Sequence, residues 1–184
     1  MKRERFEAIT DAIMAIIITL MALEINLPNL SEGAFHEFFM QIGIYIISFV
    51  CIAILWINHH HILKFTEKID TTTIWINFFL LFATSLIPLA TRILDESFTD
   101  PKSHIFFGSV FSVVTSLYFV LDEKAIKLSN GKRNNSTRKT NIVGLLLFLI
   151  SIPLSLISIY FSTAIFILGP MLYFLVPEKF EKTT

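Results

Sequence analysis

Polar side chains interrupt three segments of the sequence that are otherwise apolar. Asp11 lies near the start of the first segment, Trp56 and the run His59–His61 end the second, and Asn77 lies near the start of the third. Ionisable groups inside a membrane span are costly and suggest function by default. A buried carboxylate also needs charged or hydrogen-bonding partners. We therefore expect a polar network among these side chains.

Three consecutive histidines raise the question of a metal site. Neighbouring residues on a helix point about 100° apart and do not share a face, and the sequence has no H-E-x-x-H motif. We predict neither a metal site nor a cofactor. His59 and His61 belong either to the polar network or to the headgroup layer. A small membrane enzyme that uses the histidines with a metal stays open as an alternative.

The composition is typical of an integral membrane protein. Of the 184 residues, 54% are hydrophobic and 16% are charged, and 19 are Phe; soluble proteins average roughly 25% charged residues. The 15 basic and 15 acidic residues cancel, so no basic field is available for nucleic acid. The single cysteine, Cys51, cannot form an intrachain disulfide. A soluble enzyme domain, a disordered chain and a disulfide scaffold are excluded.

Hydropathy predicts an all-α membrane protein with six spans in a single domain, residues 1–184. A span needs roughly 17–25 mostly apolar residues. The uncharged stretch Ile142–Val176 is too long for one span, since it would rise well beyond a ~30 Å hydrocarbon core, and it is read as a hairpin. A polar cytoplasmic linker, residues 129–139, precedes it. The predicted spans are residues 6–27, 38–58, 71–93, 104–121, 141–161 and 163–176.

The basic residues predict the orientation of these spans. All but two of the 15 fall on one side, and the exceptions are Arg92 and Lys102. Because basic residues concentrate on the cytoplasmic side, we predict a multi-pass protein of the cell membrane with both termini in the cytoplasm. This arrangement brings Asp11, the histidine run and Asn77 to a similar depth.

The first predicted helix carries an apolar stripe on the side away from Asp11. At about 100° per residue, Asp11 lies about 140° from Ile16, which belongs to the stripe. Such a stripe lines a pore, or it faces lipid or other helices; periodicity alone leaves both open. The stripe comprises Ile9, Ala12, Ile16, Thr19, Leu20, Leu23 and Leu27.

Two segments resemble a known family of channels. Residues 5–11 read R-F-E-A-I-T-D and resemble the R-x-x-x-F-S-D signature of the endosomal and lysosomal potassium-channel family and its bacterial homologues. Residues 56–61 read W-I-N-H-H-H and resemble the family's Trp-x-x-His-His segment. Asn77 is similar to a position in its third helix. The family's Phe-Ser pair is Ile9-Thr10 here, which keeps the hydroxyl and loses the aromatic ring.

The resemblance implies a homotetrameric, potassium-selective cation channel of six-helix subunits, in which helix one lines a central pore. The family lacks a T-V-G-Y-G filter, and this sequence has none; rings of large aliphatic side chains form the constriction instead. On the family's pattern the constriction falls on Ile16, Thr19 and Leu23. All three belong to the stripe identified above.

The resemblance also implies a network within each subunit, made by the signature residues with helices two and three. The helical angle agrees for Asp11, whereas Arg5 would point nearer the pore on a straight helix. The expected partners are further copies of the chain, the lipid bilayer and monovalent cations, with K⁺ permeant, and not nucleic acid. The implied network comprises Arg5, Thr10, Asp11, Trp56, His60 and Asn77.

Two further functions stay open beside the potassium channel and the metal enzyme. Asp11 and His60 titrate, and histidine does so near physiological pH, so a proton-permeable or proton-coupled pathway is one alternative. A passive scaffold or accessory subunit is the other.

Overall fold

The computed structural model describes residues 3–25, 34–64, 69–128 and 135–175. All regular secondary structure in these ranges is helical. The helices are α1 (Arg3–Leu23), α2 (Ala34–Lys64), α3 (Thr71–Ser85), α4 (Ile87–Glu96), α5 (Pro101–Leu128), α6 (Asn135–Ile157) and α7 (Ile159–Leu175).

The all-α membrane fold predicted from the sequence is confirmed. Five helical stretches are long and apolar enough to span a bilayer, and α7 adds a shorter apolar stretch, Ile159–Met171. One of the five, Thr71–Glu96, consists of α3 followed by α4. The described residues therefore contain six apolar segments, the number that hydropathy predicts.

The third predicted span, residues 71–93, is broken into two helices at Leu86. Pro88 is the second residue of α4, a position where its missing N–H interrupts no bond of that helix. The Leu86 N–H donates to the carbonyl of Ala83, 3.1 Å away, and closes the last turn of α3. The proline thus separates two helices instead of lying inside one.

The hairpin between α6 and α7 turns at Ser158, earlier than the predicted boundary at residue 162. Ser162 and Thr163 lie at the predicted boundary between the two spans. In the structure both hydroxyls donate to the carbonyl of Ile159, at 2.8 and 2.9 Å. Such bonds satisfy hydroxyls inside a helix, so these residues lie within α7 and do not end it.

The predicted linker, residues 129–139, is shorter than expected. α5 continues to Leu128 and α6 begins at Asn135, so residues 135–139 are helical. Residues 129–134 lie outside the described residues.

Helix α5 is the centre of the bundle, in contact with α2, α3, α4, α6 and α7. Its interface with α6 and α7 is a cluster of four Phe rings, with centroids 4.6 to 6.3 Å apart. At Gly108 a Cβ atom would lie 2.7 Å from the Ser151 hydroxyl, so any side chain there would displace a residue at the close crossing of α5 and α6. The four rings are Phe107, Phe111, Phe148 and Phe166.

Candidate functional site

Helix α1 has one face buried in the bundle and one face that the described chain leaves uncovered. Met14, on the buried face, is 1% exposed, whereas Ile16 is 56% and Leu23 is 80% exposed. The buried residues recur every three or four positions, as expected for an amphipathic helix. They are Phe6, Thr10, Met14, Ile17 and Met21.

The uncovered face contains the stripe predicted from the sequence. Its described members are all exposed, and Leu27 lies outside the described residues. α1 packs against α2, α3 and α4, which places it at one side of the bundle. The described members are Ile9, Ala12, Ile16, Thr19, Leu20 and Leu23.

Thr19 is the polar member of this stripe. Its hydroxyl donates to the carbonyl of Ile16 at 2.9 Å. The hydroxyl hydrogen is thereby occupied, while the oxygen keeps a lone pair as an acceptor. An exposed oxygen of this kind is a suitable ligand for a cation.

A buried chain of hydrogen bonds joins α1, α3 and α2. Thr10 donates to the carbonyl of Phe6 at 3.1 Å, so its oxygen is free to accept from Asn77 Nδ2, 2.9 Å away. Asn77 Oδ1 lies 2.7 Å from His59 Nε2. Because an amide oxygen only accepts, Nε2 of His59 is the donor. Each bond in the chain therefore has one donor and one acceptor.

A second contact ties α1 to α2 at the surface of the bundle. The indole N–H of Trp56 donates to a carboxylate oxygen of Asp11 at 2.8 Å. The His60 ring stacks on Trp56, with centroids 6.3 Å apart. Both contacts are exposed in the described chain.

The structure brings together most of the residues assigned to the network. Thr10 bonds Asn77, and Asp11 bonds Trp56, which also stacks with His60. Arg5 is exposed and takes part in none of these bonds; the neighbouring Arg3 pairs instead with Glu7, one turn away, at 3.1 Å.

His60 was assigned to the network, whereas His59 was left open between the network and the headgroup layer; in the structure His59 bonds Asn77. The spacing of the buried residues along α2 indicates His59. Its buried residues recur at helical intervals that include position 59 and not position 60. They are Ile44, Ser48, Ile52, Leu55, Asn58, His59 and Ile62.

The histidines of α2 do not belong to a metal-binding group in the described part of the chain. Among the described residues, no group of three or more His, Cys, Asp or Glu side chains is arranged to hold a metal ion. His59 bonds an amide and His60 stacks on an indole.

Ion pairs hold the other end of α1. Arg92 of α4 lies 2.8 Å from Glu24, directly after α1, and 2.8 Å from Glu96. Nearby, the Gln41 amide of α2 donates to Asp95 at 2.8 Å. Neither Glu24 nor Gln41 was predicted from the sequence, because the pairing joins residues far apart in the chain.

The start of α3, which carries Asn77, is fixed by Asp70. The Asp70 carboxylate accepts from the Thr73 backbone N–H at 2.8 Å and caps the helix. It also lies 2.8 Å from the Lys124 ammonium group of α5. The hydrogen bond to Lys124 and the bonds to Thr73 lower the pKa of Asp70 to about 2.

This chain is similar to one family of channels. The family model of the endosomal/lysosomal potassium channel TMEM175 matches residues 5–88, the part that contains the buried chain of bonds. The predicted resemblance to the TMEM175 family is confirmed. A protein of Chryseobacterium sp. (strain P1-3) named as a potassium channel is 27% identical over 190 residues, which is 100% of this chain and 98% of that protein.

Two further proteins are similar to this chain. The crystal structure of a lysosomal potassium-selective channel TMEM175 homolog from Chamaesiphon minutus matches with a TM-score of 0.80 at 24% identity, over 94% of this chain and 96% of that one. The two chains therefore share a fold. The Danio rerio protein named endosomal/lysosomal proton channel TMEM175 is 28% identical over 144 residues, which is 64% of this chain and 28% of that protein.

Proposed function

We propose that the chain forms a potassium-selective cation channel of the cell membrane, as a homotetramer of six-span, single-domain subunits with both termini in the cytoplasm. Helix α1 of each copy lines a central pore. The observation that carries this proposal is the uncovered face of α1, which presents Ile16, Thr19 and Leu23 outward while the opposite face is buried. Similarity to proteins named as potassium channels adds support.

The uncovered face needs further copies of the chain to become a pore. One helix cannot enclose a channel, and closed rotational symmetry is the usual way for identical subunits to surround an axis. Along α1, Thr19 follows Ile16 by about 4.5 Å and Leu23 follows by about 10 Å. The ring would thus present aliphatic, hydroxyl and aliphatic layers in succession.

The mechanism depends on the narrowest layer. A ring of Ile16 side chains forms an apolar neck, and such necks gate by losing water. In the open state the neck removes part of the hydration shell, which favours K⁺ because it holds water less tightly than Na⁺. The Thr19 oxygens replace some of the lost ligands. Selectivity is modest, since no cage of fixed carbonyls replaces the whole shell.

The buried chain of bonds orients this pore face without touching the ion. Thr10 and Asn77 fix the rotation of α1 against α3, and the Asp11–Trp56 bond fixes it against α2. Rotation of α1 by one residue would move Ile16 about 100° from the pore axis. We therefore assign these residues a positioning role.

Flux from proteoliposomes with K⁺ or Na⁺ gradients tests the proposal. The unaltered protein should pass K⁺ faster than Na⁺. Ile16→Asn should wet the neck and bring the permeability ratio towards one. Leu149→Asn makes a matched change at an exposed position of α6 and should leave the ratio unchanged. An unchanged ratio in Ile16→Asn, or no flux from the unaltered tetramer, would contradict the proposal.

A proton-permeable pathway is the second candidate. The vertebrate relative is named as a proton channel, and the exposed contact between α1 and α2 contains the titratable pair Asp11 and His60. Reversal potentials measured with independent proton and K⁺ gradients separate the two functions. Reversal that follows the proton gradient would favour this candidate over the first.

A further inference from the structure

A cavity of about 380 Å³ lies on the side of the bundle away from α1. Residues of α2, α4, α5, α6 and α7 line it, and no described residue of α1 does so. Its size falls in the usual range for ligand sites, which are mostly apolar with a few polar groups. The cavity is therefore separate from the proposed pore.

The polarity of the cavity changes along its length. The deep end is closed by the stacked rings of Phe111 and Phe148, with centroids 5.0 Å apart. Asn58, Tyr118 and Asn141 line the other end, close to where α2 ends and α6 begins. Polar residues from three helices thus gather at one end, and aromatic rings close the other.

Lys139 supplies the charge at the polar end. It is the single charged residue among the described residues that line the cavity, and its side chain is exposed. The neighbouring Arg138 is paired with Glu123 at 2.6 Å, whereas the described part of the chain places no carboxylate within ion-pairing distance of Lys139. A positive charge at an apolar cavity complements an anionic headgroup.

The cavity also has room for a chain-like ligand beside α6. A Cβ atom built on Gly144 has no neighbouring atom within 4 Å, and Gly144 lies about 7 Å deeper than Lys139 along the helix. Val143, which also lines the cavity, is 45% exposed. The open space therefore runs inward from the position of the charge.

We propose that this cavity binds an anionic phospholipid of the cytoplasmic leaflet, with one acyl chain along Gly144 towards Phe148 and with the phosphate at Lys139. Basic pockets between membrane helices on the cytoplasmic side bind such headgroups. The proposal uses the orientation proposed above and does not depend on ion conduction. Lipid binding and ion flux are measured separately, so each can fail alone.

Native mass spectrometry of the delipidated full chain tests the site, with phosphatidylglycerol and phosphatidylcholine of identical acyl chains as probes. The unaltered protein should bind phosphatidylglycerol more tightly. Lys139→Gln should weaken its binding about five-fold, the effect of one basic residue at a membrane surface, and leave phosphatidylcholine binding unchanged. Lys127→Gln removes an exposed charge that does not line the cavity, and both affinities should stay the same.

Filling the cavity tests the place of the acyl chain. Gly144→Leu should reduce binding of both lipids, and Thr115→Leu adds bulk from α5 as an independent variant. Thr115 is suitable because its hydroxyl bonds only carbonyls of its own helix. Equal binding of the two lipids by the unaltered protein, a preference that survives Lys139→Gln, or undiminished binding in a folded filled variant would overturn the proposal. A filled variant that changes subunit number but not lipid binding would assign the cavity to a second copy and would also overturn it.

Discussion

The two ends of α1 are held by different kinds of interaction. Near the N-terminus, Thr10, Asn77 and His59 form a buried chain without an ion pair. At the other end, Arg92 joins Glu24 and Glu96 through exposed ion pairs. A buried polar group that loses its partner costs about 1–3 kcal/mol, whereas exposed ion pairs contribute little and are screened by salt. The N-terminal contacts should therefore dominate the position of the helix.

The largest expected effect follows replacement of the central residue of the buried chain. Asn77→Leu removes the acceptor for His59 and the donor to Thr10, and it should lower the free energy of unfolding by about 2 kcal/mol. Unfolding in mixed detergent micelles measures this loss. Thr10→Val combined with Asn77→Leu should cost less than the sum of the single changes, since the two residues bond each other. Strict additivity would show that the bond contributes nothing.

A smaller loss is expected at the exposed contact between α1 and α2. Asp11→Ala removes the acceptor for Trp56 and should destabilise the subunit by about 1 kcal/mol. Because the contact positions the helix, the tetramer fraction in native mass spectrometry should fall more than the K⁺/Na⁺ ratio of the remaining channels. Asp11→Asn keeps an acceptor oxygen and should largely restore assembly. A well-assembled Asp11→Ala tetramer with altered selectivity would assign Asp11 to ion selection instead.

The cap of α3 should give a dependence of stability on pH. Its hydrogen bonds hold the pKa of Asp70 at about 2, below the ordinary value of 3.8. For an acid with a lowered pKa, the stabilisation is present above pH 4 and is lost as the pH falls towards 2. The loss should stay below about 1 kcal/mol, because the pair with Lys124 is partly exposed. The free energy of unfolding, measured from pH 5 to 2, should depend less on pH in Asp70→Asn than in the unaltered protein. Identical profiles of the two proteins would contradict this role of Asp70.

The smallest effect is expected at the ion pairs of Arg92. Arg92→Gln should shift the unfolding midpoint slightly at low salt and not at all at high salt, since salt screens exposed charges. A salt titration of the thermal midpoint, with the unaltered protein beside it, measures the difference. A large shift that persists at high salt would show that the ion pairs contribute as much to the position of α1 as the buried chain of hydrogen bonds does.

The sequence predicted those features of the fold that depend on residues close together in the chain. The lengths of the apolar stretches predicted six segments, and helical angles predicted which residues of α1 share a stripe. The break at Leu86 was not predicted, because hydropathy does not show whether Pro88 lies inside a helix or at the start of one. The turn at Ser158 was misplaced because serine and threonine hydroxyls bond equally well to helical carbonyls and to turns.

The candidate site was harder to predict where it depends on packing between distant segments. His59 could have been identified, because its spacing from Leu55 and Ile52 matches the buried face of α2. The sequence could not predict the pairs Arg92–Glu24 and Lys124–Asp70, since any exposed charge at a helix end has several partners within reach. Those choices depend on how α4 and α5 pack against the rest of the bundle.

The uncovered face of α1 has a genetic consequence. In the proposed tetramer, one codon change on that face alters the channel at four places around the axis at once. When altered and unaltered subunits are produced in equal amounts and mix freely, only about one tetramer in sixteen is wholly unaltered. Changes at Ile16 or Thr19 should therefore act dominantly. Changes on the opposite face that prevent a subunit from folding remove it before mixing, and these should be recessive.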